Sequence, residues 1–412
     1  MGVILRLILI LIICVMNYQP IFGQQKIGFS LPDGVKKIEI PFEQYSNLIV
    51  IPVTINKYLT VGFVLDTGAE SAILTEKALA DIVRLKYIRE ISITVPGIRD
   101  SLGAYVASDV TLSLKTGVDG FGLNMLVLKD DYLKLNENLG AKIYGIIGYD
   151  VFSRFVVEID YHKDVLTLHD PDYFEPRSSY EVIPMKIINS KPFIDARIKQ
   201  HNGEDTVSLL IDTGASHALL LDINESENID LPEKLLKARL GQGLGGEING
   251  YMCRMESCGI DKFEFEKVLV SIPQSGNYLK AIKRGSLHGT IGGELLSRFR
   301  VVLDYPNQAL YLKKGAYFKE PFEFDMSGLT LGARGPKLDS LIVLHVSDST
   351  PAKEEGLQKG DYVKKINGYN LQNSTLTEIN AFLRKKPGVK VRMTIWRDGR
   401  KLKKRFNLRR MI

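Results

Sequence analysis

The 412-residue sequence predicts a mainly β chain in which one β-rich unit is written twice and a smaller α+β module follows. Three observations carry that expectation. Asp-Thr-Gly occurs twice, each time at the end of an apolar run: Phe63-Val64-Leu65-Asp66-Thr67-Gly68 and Leu209-Leu210-Ile211-Asp212-Thr213-Gly214. A glycine-bounded apolar block follows each copy, Gly145-Ile146-Ile147-Gly148 and Gly289-Thr290-Ile291-Gly292, so the spacing of 146 residues between the acids is matched by 144 between the blocks. After Glu320-Pro321 the repeat stops and a different pattern begins.

The elements can be justified in chain order. Residues 1–23 read as a signal peptide: Arg6, an apolar run from Leu7 to Met16, and Gly23 as a small residue before Gln24. That run is short for a membrane span, although an uncleaved anchor stays open as an alternative. Leu11-Ile12-Ile13-Cys14 is no lipoprotein box, because Ile13 is bulky and the Cys falls inside the apolar core. In the repeated units, Val156–Tyr161 with Val165–Leu168, and Val301–Asp304 with Ala309–Leu312, read as two hairpins of β-branched runs bounded by turn residues. Residues 76–88 and 233–240, rich in Ala, Leu and Glu, are expected as short helices.

Two carboxylates brought face to face can share one proton, so one serves as base while the other serves as acid. That chemistry needs both Asp-Thr-Gly copies at one place. The set of motifs resembles a two-lobed aspartic protease over about residues 40 to 315. Ala69 and Ala215 after each Gly make it more similar to the retropepsin-like type than to pepsin. The resemblance implies two homologous acid-protease β-barrel-like lobes in one chain, 24–175 and 176–320, followed by an α+β module. It implies Asp66 and Asp212 as the catalytic pair that activates a water molecule, with Thr67, Gly68, Thr213 and Gly214 in support. No cofactor and no metal are implied. Ala in place of a Ser or Thr hydroxyl at 69 and 215 leads us to expect activity nearer neutral pH than in pepsin-like enzymes.

Gly243, Leu244, Gly245 and Gly246 are expected to form a mobile flap over the cleft, with residues 96–103 as the counterpart in the first lobe. An ordinary surface hairpin is the plainer alternative. Gly241, Gly243 and Gly246 also spell G-x-G-x-x-G, but a dinucleotide loop needs a strand before it and a helix after it. The order read from the sequence is a helix-like run first and Tyr251-Met252-Cys253-Arg254 after.

Residues 322–412 resemble a PDZ domain through Ser349-Thr350-Pro351-Ala352, Gly356-Leu357, Gly360-Asp361 and Ile366-Asn367-Gly368. Thr350 and Glu355 depart from the usual run. Such domains bind an extended peptide as an added strand. The resemblance implies a carboxylate-binding loop at Met326, Ser327, Gly328 and Leu329, and a groove between Leu329–Leu331 and the helix at about Leu376–Leu383. Met326 and Ser327 depart from the common start of that loop. A module that only packs on the lobes is the alternative.

Cys253 and Cys258, the only cysteines beyond residue 23, lie five apart in an expected strand, on opposite faces, and are expected as free thiols. Six scattered His without H-E-x-x-H argue against a zinc protease. Net charge is +6, yet residues 381–412 hold thirteen Lys/Arg against Asp398 alone, a local +12 that leaves −6 for the rest. That stretch reads as a solvated sheet face, with an anionic surface or acidic partner as the alternative. Trp396 is expected in the core.

Expected partners are a peptide or protein substrate and a peptide ligand of the PDZ domain, with no nucleic acid. Membrane contact is expected only through an uncleaved signal or the basic C-terminus. One chain supplies both acids, so a monomer is expected. The signal and domain order suit the periplasm or cell envelope of a Gram-negative bacterium. Asn224-Glu225-Ser226 and Asn373-Ser374-Thr375 would carry glycans only in a eukaryotic secretory route. A catalytically silent peptide-binding scaffold on the same lobes is the rival reading.

Overall fold

A computed structural model describes residues 27–93, 101–114, 117–201, 203–222, 230–274 and 288–412. The expected signal segment, residues 96–100 of the first flap counterpart and Asn224-Glu225-Ser226 lie outside these residues.

Strands dominate, in sheets of nine, six, eight and five strands. The nine-stranded sheet belongs to the first half and the eight-stranded sheet to the second. Both contain the same inner arrangement. In the first half, Leu59–Leu65 runs parallel to Ile143–Ile147, which on its other side pairs antiparallel with Ala72–Leu74. In the second half, Gly203–Ile211 runs parallel to Gly289–Ile291, which pairs antiparallel with Leu219–Leu221. The strand of each glycine-bounded block is thus inserted between the two limbs of an Asp-Thr-Gly loop. These inner strands are apolar on both faces, as expected where a sheet is covered on both sides.

The six-stranded sheet joins the halves. Its order is Glu181–Pro184, Ala309–Lys314, Phe299–Asp304, Val156–Asp160, Val165–His169, Lys37–Pro41. Both hairpins read from the sequence are present, and they meet at the centre, where Val157 faces Leu303 and Ile159 faces Val301 in antiparallel register. One continuous apolar core runs through both halves and this sheet.

The C-terminal module has its own core. Its antiparallel sheet runs Leu329–Arg334, Ser340–Val346, Tyr362–Ile366, Lys390–Arg397, Arg400–Asn407, with short helix Pro351–Glu354 and helix Leu376–Leu383. The longer helix starts in a capping box, Thr375 accepting from the Glu378 amide at 3.2 Å while Glu378 accepts from the Thr375 amide at 2.7 Å. The module is fastened to the second half: Arg254 donates to the Phe322 carbonyl at 2.8 Å and to that of Ile412 at 3.3 Å, and pairs with Glu323 at 3.5 Å.

Three local expectations are corrected. The helix expected over 76–88 covers only Lys77–Ile82; Arg84 takes a left-handed φ of 54°, and Lys86–Ile93 is a strand paired with Leu102–Leu114. The helix expected over 233–240 is a strand, Leu236–Gly243, paired along its length with Gly246–Ile260. Cross-strand packing overrides the helix propensity of its Leu, Lys and Ala. Trp396 is 44% exposed rather than core, because Val391, Met393 and Ile395 set the buried parity of its strand. Lys390, Arg392, Lys401, Lys403 and Arg405 occupy exposed positions of the same sheet. Cys253 and Cys258 are buried free thiols; both lie inside, so the expected split between faces does not expose either one. Among the described residues no helix is long and apolar enough to cross a membrane.

Candidate active site

Each Asp-Thr-Gly loop is held by its glycine-bounded strand. Asp66 donates its amide to the Ile147 carbonyl and Asp212 to that of Ile291, both at 2.9 Å. Past the loop, Tyr149 donates to the Ala69 carbonyl at 2.9 Å and Gly293 to that of Ala215 at 2.7 Å. Gly148 and Gly292 are glycine for a steric reason. A Cβ on Gly148 would strike the Asp66 and Ala69 carbonyl oxygens, and one on Gly292 would strike those of His217 and Ala215.

The two loops are then locked to each other. Thr67 donates its amide to Thr213 Oγ1 and Thr213 returns the bond to Thr67 Oγ1, both at 3.1 Å. Each hydroxyl donates onward across the junction, Thr67 Oγ1 to the Ile211 carbonyl at 2.5 Å and Thr213 Oγ1 to that of Leu65 at 2.8 Å. Both threonines are fully buried. The four bonds form a closed, nearly two-fold set in which every polar atom of the threonine side chains is used.

That lock carries Asp66 and Asp212 together. Their side chains hydrogen-bond each other. Gly68 donates to Asp66 Oδ1 at 2.6 Å and Gly214 to Asp212 Oδ1 at 3.0 Å. A Cβ on Gly214 would stand 2.6 Å from both Asp66 carboxylate oxygens, and one on Gly68 3.0 Å from Asp66 Oδ1 and 3.8 Å from Asp212 Oδ1. The acids therefore lie against the two glycine backbones and are partly buried.

Burial raises both acids above the ordinary carboxylate range. For Asp212 the neighbouring charge of Asp66 raises it further, whereas the mutual hydrogen bond lowers Asp66 and raises Asp212. The pair accordingly shares one proton over a raised pH range. Lys191, paired with Glu70 at 3.2 Å, pulls both acids down by a smaller amount.

Two strand-held Asp-Thr-Gly loops, locked through their threonines, thus bring their acids together across the two halves. Residues 194–294, which include the second loop and its glycine-bounded strand, match the family model for aspartyl protease. Residues 322–408 match the model for PDZ domain. The chain carries an aspartyl protease domain and a C-terminal PDZ domain. No curated protein matches it.

The glycine-rich segment of the protease part is the turn of a hairpin. Gly243 pairs with Gly246 across Leu244-Gly245, and Gly246 has a φ of +94°. A strand both precedes and follows it, so the dinucleotide reading falls for want of a helix. The hairpin reaches the first half: Leu244 packs with the cluster of Ala104, Leu128 and Leu133, which Ile146 also joins. Gln242 donates to the Tyr132 carbonyl at 3.0 Å and Arg239 to Asn138 Oδ1 at 3.1 Å.

The loop Met326, Ser327, Gly328, Leu329 needs a correction. Its amides do not stand free. Those of Ser327, Gly328 and Leu329 all donate to Asp325 Oδ1, at 2.9, 2.5 and 3.2 Å, and the Ser327 hydroxyl does so at 2.7 Å. The Met326 amide donates to the Leu383 carbonyl. Asp325 was not singled out in the sequence, where it reads as an ordinary acid before a turn.

Tyr305 is a second residue that sequence reasoning missed. It is buried, stacks on Phe152 at 5.4 Å, and its hydroxyl has no hydrogen-bond partner among the described residues. Burial first, then the charges of Asp66, Tyr149 and Asp212, push its phenol up. Its signal was available: Asp160-Tyr161 and Asp304-Tyr305 close the two repeats.

Proposed function

We propose that this chain is an exported aspartic endopeptidase built from two duplicated lobes, and that its PDZ module governs access to the cleft. The single observation that supports the hydrolase reading best is the reciprocal Thr67–Thr213 lock, which brings Asp66 and Asp212 into contact across the two halves. In the reaction, ionised Asp66 removes a proton from a water molecule between the acids. The oxygen attacks the peptide carbonyl while Asp212 donates its proton to the carbonyl oxygen. Collapse of the tetrahedral intermediate breaks the C–N bond: Asp66 passes its proton to the leaving amine, and the Asp212 carboxylate takes a proton back from one hydroxyl as the new carboxyl forms. No covalent enzyme intermediate forms. The hairpin at Gly243–Gly246 closes over the substrate, excluding water.

A peptide or protein is the kind of partner both matched domains take. The apolar stretch within residues 1–23 supports export, with the periplasm or envelope of a Gram-negative bacterium as the compartment. Both acids on one chain support a monomer.

The test is cleavage of a mixed peptide library by the full chain, with and without a pepstatin-like transition-state mimic, repeated with Asp66→Asn and Asp212→Asn. Each substitution should lower turnover by about 10²–10⁴-fold, the range for loss of a general acid or base. Cleavage that persists in either variant would sink the shared-proton mechanism. Binding of the library with no cleavage in the wild type would favour the scaffold.

A further inference from the structure

A PDZ ligand ends in a carboxylate held by the amides of the loop before the groove strand, and its body lies along that strand beside the helix. In this chain both places are taken by the protein itself. Asp325 receives the Ser327, Gly328 and Leu329 amides and the Ser327 hydroxyl on one oxygen, which is the chemistry a ligand carboxylate would need. It is enclosed enough that burial raises its carboxyl against the pull of these bonds.

The far half of the groove is covered by the first lobe. Strand Leu329–Arg334 is an edge of its sheet, and the short helix Leu135–Leu139 lies against it. A Cβ on Gly332 would stand 3.0 Å from the Glu137 carbonyl oxygen, so two backbones meet there. Gly140, at φ +68°, has room for no Cβ: one would stand 2.9 Å from Leu376 Cβ, at the first turn of the groove helix, and 3.6 Å from Ala333 Cβ. Arg334 donates twice to Glu137 Oε1, at 3.2 and 3.0 Å, and the Ser46 amide reaches Thr377 Oγ1 at 3.4 Å.

We propose that the PDZ groove of this chain is a clamp whose partner is its own first lobe, with Asp325 in the carboxylate position and residues 135–140 across the groove, so that it does not read the free C-termini of other chains. The clamp is also wired to the cleft hairpin. Asn138, inside the clamped segment, accepts from Arg239, and Glu247, on the other limb of that hairpin, pairs with Lys359 of the module at 3.8 Å. Releasing 135–140 therefore loosens the hairpin.

The binding arm does not depend on the hydrolase reading. In full-length Asp212→Asn protein, fluorescence anisotropy compares a randomised ten-residue peptide pool bearing free C-termini with the same pool amidated. A cleft reads the middle of a peptide and treats the pools alike. A carboxylate nest favours free acids by about tenfold or more, the weight of charge-assisted hydrogen bonds. We expect no preference. In the second arm, Arg334→Glu, at a half-exposed side chain, repels Glu137. Amide exchange should rise by about fivefold or more at 135–140 and at 236–243, and stay unchanged at 391–395 inside the module. A free-acid preference of about tenfold in the full-length Asp212→Asn protein overturns the proposal. So does unchanged exchange at 135–140 in Arg334→Glu. Adding Asp325→Ala to Arg334→Glu empties the nest and opens the groove; if it remains folded by circular dichroism and still shows no free-acid preference, the assignment of Asp325 is wrong.

Discussion

Replacing Thr213 with Val tests the lock between the two acid loops. The side chain keeps its shape and loses one hydroxyl, which accepts from the Thr67 amide and donates to the Leu65 carbonyl. Thr67, Thr213 and Leu65 are all 0% exposed, so water cannot replace the lost partner. A buried donor or acceptor left unmet costs about 1–3 kcal/mol, so two of them cost about 2–6 kcal/mol. At the lower end this is roughly a 30-fold rise in local opening. Amide exchange at residues 65–68 and 211–214 reads it directly, and turnover should fall with it, since small displacements of reacting groups cost about 10²-fold. Thr213→Ser keeps both bonds and should recover most of the protection. If Val protects as well as Thr, or Ser fails as badly as Val, the hydroxyl is not what joins the loops.

Four further outcomes are expected. Gly214→Ala should lower kcat/KM by about 10²-fold or more with the fold intact by circular dichroism, because its Cβ enters the Asp66 carboxylate, while Gly68→Ala should cost less; equal losses would contradict the asymmetry. Asp212 is raised by burial and then by Asp66, so its contribution to stability is fully present below the unfolded value of about 4 and is lost as pH rises through the folded value. Asp212→Asn should therefore raise Tm at pH 7 and narrow its advantage toward pH 3, and a variant equally shifted at both pH values would refute this. The same raised acids should carry wild-type turnover toward neutral pH, and a rate profile confined below about pH 4 would oppose it. In the joining sheet, Glu158 is held down to about 2 by the hydrogen bond from His169, then by Tyr180 and Arg300, against its burial. Its contribution is present above about pH 4 and lost as pH falls toward 2, so Glu158→Gln should flatten the acid limb of a urea-midpoint profile.

What could be read in the sequence is what a single backbone constraint dictates. Gly148 and Gly292 answer to carbonyl oxygens that leave no space for a Cβ, and the acids answer to the strands that end at Ile147 and Ile291, so motif and spacing carry their proximity. The paired hairpins of the joining sheet were legible because β-branched alternation and turn residues are local signals. Leu236–Gly243 was misread because its helix propensity is local while its pairing with Gly246–Ile260 depends on a partner strand. Asp325 was illegible for a related reason. Nothing in Phe324-Asp325-Met326-Ser327 says that the carboxylate turns back onto three following amides rather than out to solvent; that choice depends on the Met326 amide being fixed to Leu383 across the module.

The same distinction bears on how the two parts of the chain work together. Arg239 and Asn138 are 101 residues apart, and Arg334 and Glu137 are 197 apart, yet the two contacts converge on one five-residue helix. A short helix of this kind has little stability of its own. Its position is set by the first lobe, where Leu139 packs with Leu48, Val50, Val64 and Ile143, and by the contacts from the cleft hairpin and the module. A shift of the hairpin or the module reaches the other through this helix only as far as its packing in the first lobe lets it move. On the clamp proposed above, Leu135–Leu139 would be the segment through which the C-terminal module bears on the cleft hairpin, in residues that belong to neither Asp-Thr-Gly loop.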